Sequence, residues 1–256
     1  MRPVSASIVM YNGASEVLDC IESLQKAAAA NSPQLFVIDN ASPDGSFETL
    51  ARQPLPDFVT LLPQQQNRGF GAGHNAVLPL LNSRYHAVVN PDILFTEDVF
   101  TPMAAYMDEH PDVAVTIPRL VFPNGSPQYV AKRRPAFLPL LARQLPLPFL
   151  KKYERHYLML DEDLSKPIDI EFCSGSFFLM RTDVFKQIGG FDEGYFMYVE
   201  DADITQKALP HGRAVYLPNA VVTHTWHRDA HRRPRQFWWQ LKSMLRYFKK
   251  WGFRLK

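Results

Sequence analysis

Four short apolar runs open this chain, and each stops abruptly in polar, turn-forming residues. Ser5 to Met10 ends at Tyr11, Asn12 and Gly13, and Gln34 to Asp39 runs into Asn40, Ala41, Ser42, Pro43, Asp44 and Gly45. Val59 to Leu62 leads to Asn67, Arg68, Gly69, Phe70, Gly71, Ala72, Gly73, His74 and Asn75, and Tyr85 to Val89 stops at Asn90, Pro91 and Asp92. A helical pattern follows the first run, with Val17, Leu18, Ile21 and Leu24 on one face. Further helices are expected over Ser46 to Arg52 and from the glycine-rich stretch to about Leu81. Strand, polar loop and helix in repetition specify an α/β fold with a mostly parallel sheet flanked by helices. Ligands of such sheets bind outside the carboxyl ends of the strands, where all four loops fall.

Beyond this region Val113 to Ile117 reads as a further strand. From Pro118 to Pro167 the periodicity decays into a proline-punctuated apolar stretch, preceded by Lys132, Arg133 and Arg134 within it and followed by Lys151 and Lys152. Regular structure is expected to resume as one strand from Ile168 to Met180. A short helix over Thr182 to Gln187, a helix from Glu200, and closing strands over Ala214 to Leu217 and Ala220 to Thr223 follow. The boundaries read from this pattern are a nucleotide-binding half over 1–117, a variable insert over 118–167, a catalytic half over 168–227 and a basic amphipathic tail over 228–256.

Charge is unevenly spread. The net charge is +2, yet residues 228–256 hold ten Lys/Arg against the single acid Asp229, so the rest of the chain carries +2 minus +9, or −7. In the tail, Phe237, Trp238, Leu241, Met244, Leu245, Phe248, Trp251 and Phe253 recur at helical spacing among Lys242, Arg246, Lys249 and Lys250. This pattern suits an anionic membrane surface. It equally describes a helix docked on its own domain or on a second subunit in a homodimer. Nucleic acid fits less well, because the body is acidic and no nucleic-acid motif is present. No targeting segment and no run of apolar residues long enough to cross a bilayer is visible. The two cysteines, Cys20 and Cys173, sit in apolar runs and suggest buried thiols in a reducing, cytoplasmic setting rather than a disulfide framework.

Several residues have the chemistry of a site. Asp39 ends a strand with a carboxylate suited to a base or ribose, although a turn-capping role is as natural, and Tyr11 beside it can stack on a base. The glycine-rich loop admits close backbone approach to a ligand at a helix start, and Arg68 can reach a phosphate. Neither the dinucleotide fingerprint nor the P-loop is present. Asp92 is a candidate ligand for Mg2+ or Mn2+, with His224 a second. Glu200, Asp201 and Asp203 form an acidic island among Phe191, Tyr195, Phe196, Met197 and Tyr198. It reads either as an ordinary acidic helix start or as a partly desolvated base. His227 and His231 lie in the basic run and are weaker candidates.

These motifs, in this order, resemble the GT-A-fold glycosyltransferase family 2, in particular its rhamnosyltransferase-like branch. The resemblance rests on Ser7 to Asn12, Val37 to Ser42, Asn67 to Asn75, Val89 to Asp92, Gly175 to Arg181, Gly190 to Glu193 and Phe196 to Asp203. It implies an inverting transferase that uses a nucleotide-sugar, dTDP-rhamnose or a UDP-sugar. The acceptor it implies is a saccharide; the basic amphipathic tail and the proline-rich apolar stretch suggest one linked to polyprenyl diphosphate and met at the inner face of the cell membrane. By the resemblance Tyr11, Asn12, Asp39, Asn40, Ser42, Asn67, Arg68, Gly69, Gly71, Asn75 and Asn90 line the donor, and Asp92 and His224 hold the metal. Asp201 is the general base, with Glu200 and Asp203 orienting groups. Asn90 stands where the family's metal motif has its first Asp. Other readings are a catalytically silent nucleotide-sugar-binding scaffold and a sugar-phosphate nucleotidyltransferase. The second would need a basic, glycine-rich loop after the first strand, which Tyr11 to Ser15 does not supply.

Overall fold

β1 (Val4–Met10) is buried along its whole length, as befits a strand covered on both faces. It anchors a computed structural model that describes residues 3–28, 31–144, 147–225 and 234–256. α1 (Ala14–Ala27) follows and turns Val17, Cys20, Ile21 and Leu24 inward. β2 (Gln34–Asp39), α2 (Ser46–Ala51), β3 (Val59–Pro63), α3 (Phe70–Asn75) and β4 (Tyr85–Val89) repeat the unit. β1 pairs in parallel with both β2 and β4, and β2 with β3. The loops after these strands therefore open on one edge of the sheet, as expected. The helix read to Leu81 is broken: α3 ends at Asn75 and a 3-10 turn covers Leu78–Leu80, with Pro79 inside it.

The second half departs further from the sequence pattern. Its elements are β5 (Ile93–Leu94), α4 (Phe100–Glu109), β6 (Val113–Val121), β7 (Pro127–Gln128), α5 (Phe137–Gln144), α6 (Lys151–Tyr157), β8 (Ile168–Ile170), β9 (Phe177–Arg181), α7 (Thr182–Gln187), α8 (Glu200–Ala208), β10 (Arg213–His224) and α9 (Pro234–Trp251). The main sheet runs β3-β2-β1-β4-β9-β6-β10-β5. β9 inserts between β4 and β6 and is antiparallel to both, so the sheet is parallel in its first half and mixed beyond β4. The expected strand over Ile168 to Met180 is two strands, with Gly175 in the link between them. The two closing strands are one, β10, with a register shift between Leu217 and Val221. The insert is also more regular than its prolines suggest. It carries α5 and α6, because Pro139 falls in the first turn of α5 and Pro148 opens a 3-10 turn, positions where a missing N–H costs nothing.

α9 is docked on the domain. Tyr247 is buried, and with Phe248 and Trp251 it joins a small core containing Phe172, Tyr195 and Ala202. Trp251 Nε1 donates to Asp203 Oδ1 at 2.7 Å, and Lys250 Nζ donates to Asp203 Oδ2 at 2.9 Å. Arg246 and Lys250 both pair with Asp192, at 2.8 and 3.0 Å. Arg134 Nη2 donates to Trp251 O, and the Phe137 and Leu138 N–H groups donate to Arg254 O and Leu255 O. The outer face of α9 keeps Phe237, Trp238 and Leu245 exposed. Within the described residues, no helix is long and apolar enough to cross a membrane. Trp251→Phe keeps most of the ring and deletes the N–H to a buried carboxylate. It should lower unfolding free energy by about 2 kcal/mol, the usual loss for a hydrogen bond to a charged group. Urea denaturation measures this, and an unchanged midpoint would mean that α9 does not need this contact to stay docked.

Candidate active site

The strand-end loops are tied to one another. The Asn12 N–H, at a left-handed φ of 66°, donates to Ser42 Oγ at 2.8 Å. Ser42 Oγ donates in turn to Asp39 Oδ1 at 2.5 Å, and the Ser42 N–H reaches both carboxylate oxygens. Asp39 is buried and therefore holds the turn, whatever else it binds. Tyr11, 51% exposed, stands free at the mouth. Asn40 Nδ2 donates to Asn67 Oδ1 and Gly69 O, at 3.1 and 3.0 Å, clasping the third loop to the second.

In the glycine-rich loop the missing side chains answer first to packing. Gly69 sits at φ 95°, and a Cβ there would lie 2.2 Å from Phe196 O. A Cβ at Gly71 would meet Phe191, and one at Gly73 would meet Val9, both at 2.7 Å. Arg68 pairs with Glu193, both near solvent. Asn75 does not face the crevice: its Nδ2 donates to Phe191 O and its Oδ1 accepts from the Phe191 N–H, so it clamps the loop before α8.

Asp92 and His224 lie together, as their pairing in the sequence reading requires. His224 Nε2 is 3.2 Å from Asp92 Oδ1, and both side chains are largely enclosed. Gln128, which sequence reasoning missed, explains the arrangement. Its Nε2 donates to His224 O at 2.9 Å, which turns its Oε1 toward His224 Nδ1 at 2.7 Å. Nδ1 must then carry the proton. In the neutral ring Nε2 presents a lone pair toward a carboxylate, and two such atoms suit a shared cation. Among the described residues no cluster of three or more His, Cys, Asp or Glu surrounds a metal position. A two-ligand protein site fits a divalent ion that takes its remaining oxygens from phosphate and water. Asn90 contributes its backbone, its N–H donating to Ser176 O at 2.9 Å. His227 and His231 lie outside the described residues.

The acids at the start of α8 part company. Asp201 Oδ2 accepts from the Gly175 N–H at 3.2 Å and its Oδ1 from the Ala202 N–H at 2.9 Å. Burial pushes its carboxyl up, against the pull of the Lys132 charge and these N–H groups. Glu200 is more strongly affected: burial, with the neighbouring Asp201 charge, pushes it up to about 8. Glu200 therefore holds its proton at neutral pH, beside Asp201. Asp203 is fully buried, and its carboxylate is taken up by Tyr195, Lys250 and Trp251. These contacts tie α8 to α9 at the residue the sequence reading gave as an orienting group. The residues leading into the pair, Tyr198 and Val199, have φ of 70° and 68°. A β-branched residue there is strained, a state found where surrounding contacts over-determine a functional segment.

Two further groups escaped the sequence reading. Lys132, read there as one of the bases bordering the proline-rich apolar stretch, packs over Phe172 and influences Asp201. Its neighbour Arg133 pairs with Asp161 and Glu162. Beneath the glycine loop runs a buried chain, Ser83–Ser5–His86–Ser7–His74, with successive contacts of 2.7, 2.8, 2.9 and 2.7 Å. Burial holds both histidines below their usual range, so the chain stays neutral and pins α3 to β1. Alternating Ser5 and Ser7 in an apolar strand were its only signal.

Known proteins resemble this chain in both sequence and fold. The N-acetylglucosaminyl-diphospho-decaprenol L-rhamnosyltransferase of Mycobacterium tuberculosis (strain ATCC 25618 / H37Rv) is 29% identical over 211 residues, covering 74% of this chain and 66% of that protein. The match thus spans just under two thirds of that relative's own length. Rhamnosyltransferase WbbL of Escherichia coli (strain K12) is 26% identical over 191 residues, covering 70% of this chain and 69% of its own. Among solved structures, GalNAc-T7 with UDP, GalNAc and Mn2+ superimposes with a TM-score of 0.75 at 16% identity, over 97% of this chain and 48% of that one. That likeness establishes the GT-A fold. The family model for Glycosyl transferase family 2 matches residues 5–189, which take in the four strand-end loops, β9 and α7. With its motifs at the strand ends of this fold, the chain belongs to glycosyl transferase family 2.

Proposed function

We propose that the chain is an inverting, metal-dependent glycosyltransferase that moves rhamnose from dTDP-rhamnose to a hydroxyl of a saccharide carried on a lipid diphosphate. The observation that carries this reading is the link at 174–176. The Gly175 N–H holds Asp201, and Ser176 O accepts from the Asn90 N–H two positions before Asp92. The candidate base and the candidate metal position are thus braced by one short segment. Residues 1–117 would hold the donor and 168–227 the catalytic half, with the insert over 118–167 between them. Tyr11, Asn12, Asp39, Asn40, Ser42, Asn67, Arg68, Gly69, Gly71 and Asn90 belong to the donor side. Asn75 acts there through the Phe191 loop. A silent scaffold would have no need of a buried, protonated Glu200 beside Asp201.

In this reading Asp201 takes the proton of the acceptor hydroxyl as that oxygen attacks the anomeric carbon. The bond to the nucleoside diphosphate breaks in the same displacement, so configuration inverts without a covalent intermediate. A divalent ion held by Asp92 and His224 would neutralise the charge on the departing diphosphate. The lipid-linked acceptor places the protein at the inner face of the cell membrane. The exposed Phe237, Trp238 and Leu245 of α9, among Lys242 and Lys249, suit contact with anionic lipid.

Three outcomes test these roles. Asp201→Asn should lower kcat by about a thousandfold, within the range for a lost general base, and leave donor binding intact. Unchanged turnover removes Asp201 from the role. The folded Glu200 carboxyl keeps its proton up to about pH 8, whereas its usual value is 4.5. Its contribution to stability is present below that usual value and is lost as pH rises to about 8. Glu200→Gln should therefore flatten the fall in melting temperature across that interval. An identical pH profile in both proteins would show that Glu200 titrates normally. Gln128→Leu releases the His224 ring and should raise the Mg2+ or Mn2+ concentration for half-maximal activity by about tenfold to a hundredfold. Measuring that activation with dTDP-rhamnose and UDP-sugars side by side also decides the donor.

A further inference from the structure

A cavity of about 280 Å3 lies between α9 and the loop before α8, lined by Gly194, Phe196, Trp239, Lys242 and Ser243. We infer that this cavity is the subsite for the phosphate-bearing saccharide end of the acceptor, with Lys242 as its phosphate contact and the Phe196–Trp239 pair as its sugar platform. The inference rests on the transferase reading above and adds to it where the acceptor sits.

Position is the first argument. Phe196 has two faces in use. Its carbonyl accepts from the Phe70 N–H at 3.1 Å and presses on Gly69, so its backbone belongs to the donor loop. Its ring belongs to the cavity and meets Trp239 with centroids 4.7 Å apart and a 40° tilt. The chain then passes through the strained Tyr198 and Val199 to Glu200 and Asp201. A ligand in the cavity therefore leans on the segment that carries the acid pair. Ser243 Oγ holds that segment from the other side, donating to Met197 O at 2.9 Å. Gly194 completes the same wall beside the Arg246 guanidinium.

Chemistry is the second argument. Aromatic faces take the apolar side of a sugar ring, and a lysine ammonium is a point-charge partner for phosphate. Among the described residues Lys242 enters no salt bridge, whereas Arg246 and Lys250 on the same helix are committed to Asp192 and Asp203. Residues 236–256 contain no Asp or Glu to compete with an incoming anion. On the helix surface Lys242 lies between Trp238 and Leu245, four positions before it and three after, which are 65% and 64% exposed. A phosphate at Lys242 would leave a lipid chain lying along that apolar strip, with the saccharide directed into the cavity.

Calorimetric binding of two probes to the full chain tests the assignment, without donor. One is octyl diphospho-N-acetylglucosamine, and the other is octyl N-acetylglucosaminide, which lacks the phosphates. Lys242→Met should weaken the first by about tenfold and leave the second unchanged. Trp239→Leu should weaken both. Lys256→Met removes the same charge from the same tail outside the cavity and should change neither. Equal affinity of the wild type and Lys242→Met for the diphosphate probe, or no binding by the wild type, overturns the proposal. So does an equal loss on both probes in Lys242→Met. Transfer assays with dTDP-rhamnose on the same proteins separate the two readings. Lys242-dependent binding without any sugar transfer would leave the subsite standing and remove the transferase function.

Discussion

Glu200 and Asp203 are buried at the head of one helix with the half-buried Asp201 between them, and much of the second half of the molecule is arranged around these three carboxylates. Unscreened, the three would repel one another and resist desolvation. Each is accommodated differently. Asp203 is compensated by an ammonium and an indole N–H from α9. Asp201 is compensated by two backbone N–H groups and, at longer range, by Lys132. Glu200 has no comparable compensation and keeps its proton. The asymmetry leaves one acid poised to accept a proton beside one that still holds its own. It also makes α9 a structural requirement of the site, since the only cation in contact with Asp203 comes from it among the described residues.

This also explains why the C-terminal tail left two readings open in the sequence. Its helical period, aromatics and basic charge are all present in α9, and they are as compatible with a bilayer as with a domain. What decides between them is long-range: the acids that Arg246 and Lys250 meet lie 54 and 47 positions upstream. Nothing local marks Asp192 and Asp203 as their partners. The insert shows the same limit from the other side. Its prolines suggested irregular chain, yet proline in a first turn is compatible with helix, and α5 and α6 form around them.

The first half was more legible, because its signal is local. Apolar runs stopping at turn formers located β1 to β4 within a residue or two, and the loops fell at the strand ends as parallel pairing requires. The second half was harder to read because β9 enters the sheet antiparallel between β4 and β6. A five-residue strand of Phe177, Phe178, Leu179, Met180 and Arg181 has the same composition in either direction. Gln128 was invisible for a related reason. Its importance lies in a single amide oriented by a carbonyl 96 positions away.

The extended link between β8 and β9 shows how precision is reached without a long element. Glu171 O accepts from Gln206 Nε2, the Cys173 N–H donates to Thr205 Oγ1, and the Gly175 N–H donates to Asp201. These three contacts, spaced by two residues, lay this segment along α8. One residue further, Ser176 O takes the Asn90 N–H. A shift of the link by a single residue would detach Asp201 from Gly175 and Asn90 from Ser176 together. Gly175 tightens the constraint, since a Cβ there would come within 3.2 Å of the Asp201 Cβ and 3.6 Å of the Phe70 ring. The glycine-rich loop, the strand-end Asn90 and the acid pair thus all meet one glycine-centred stretch of backbone, and a side chain at 175 would press first on Asp201.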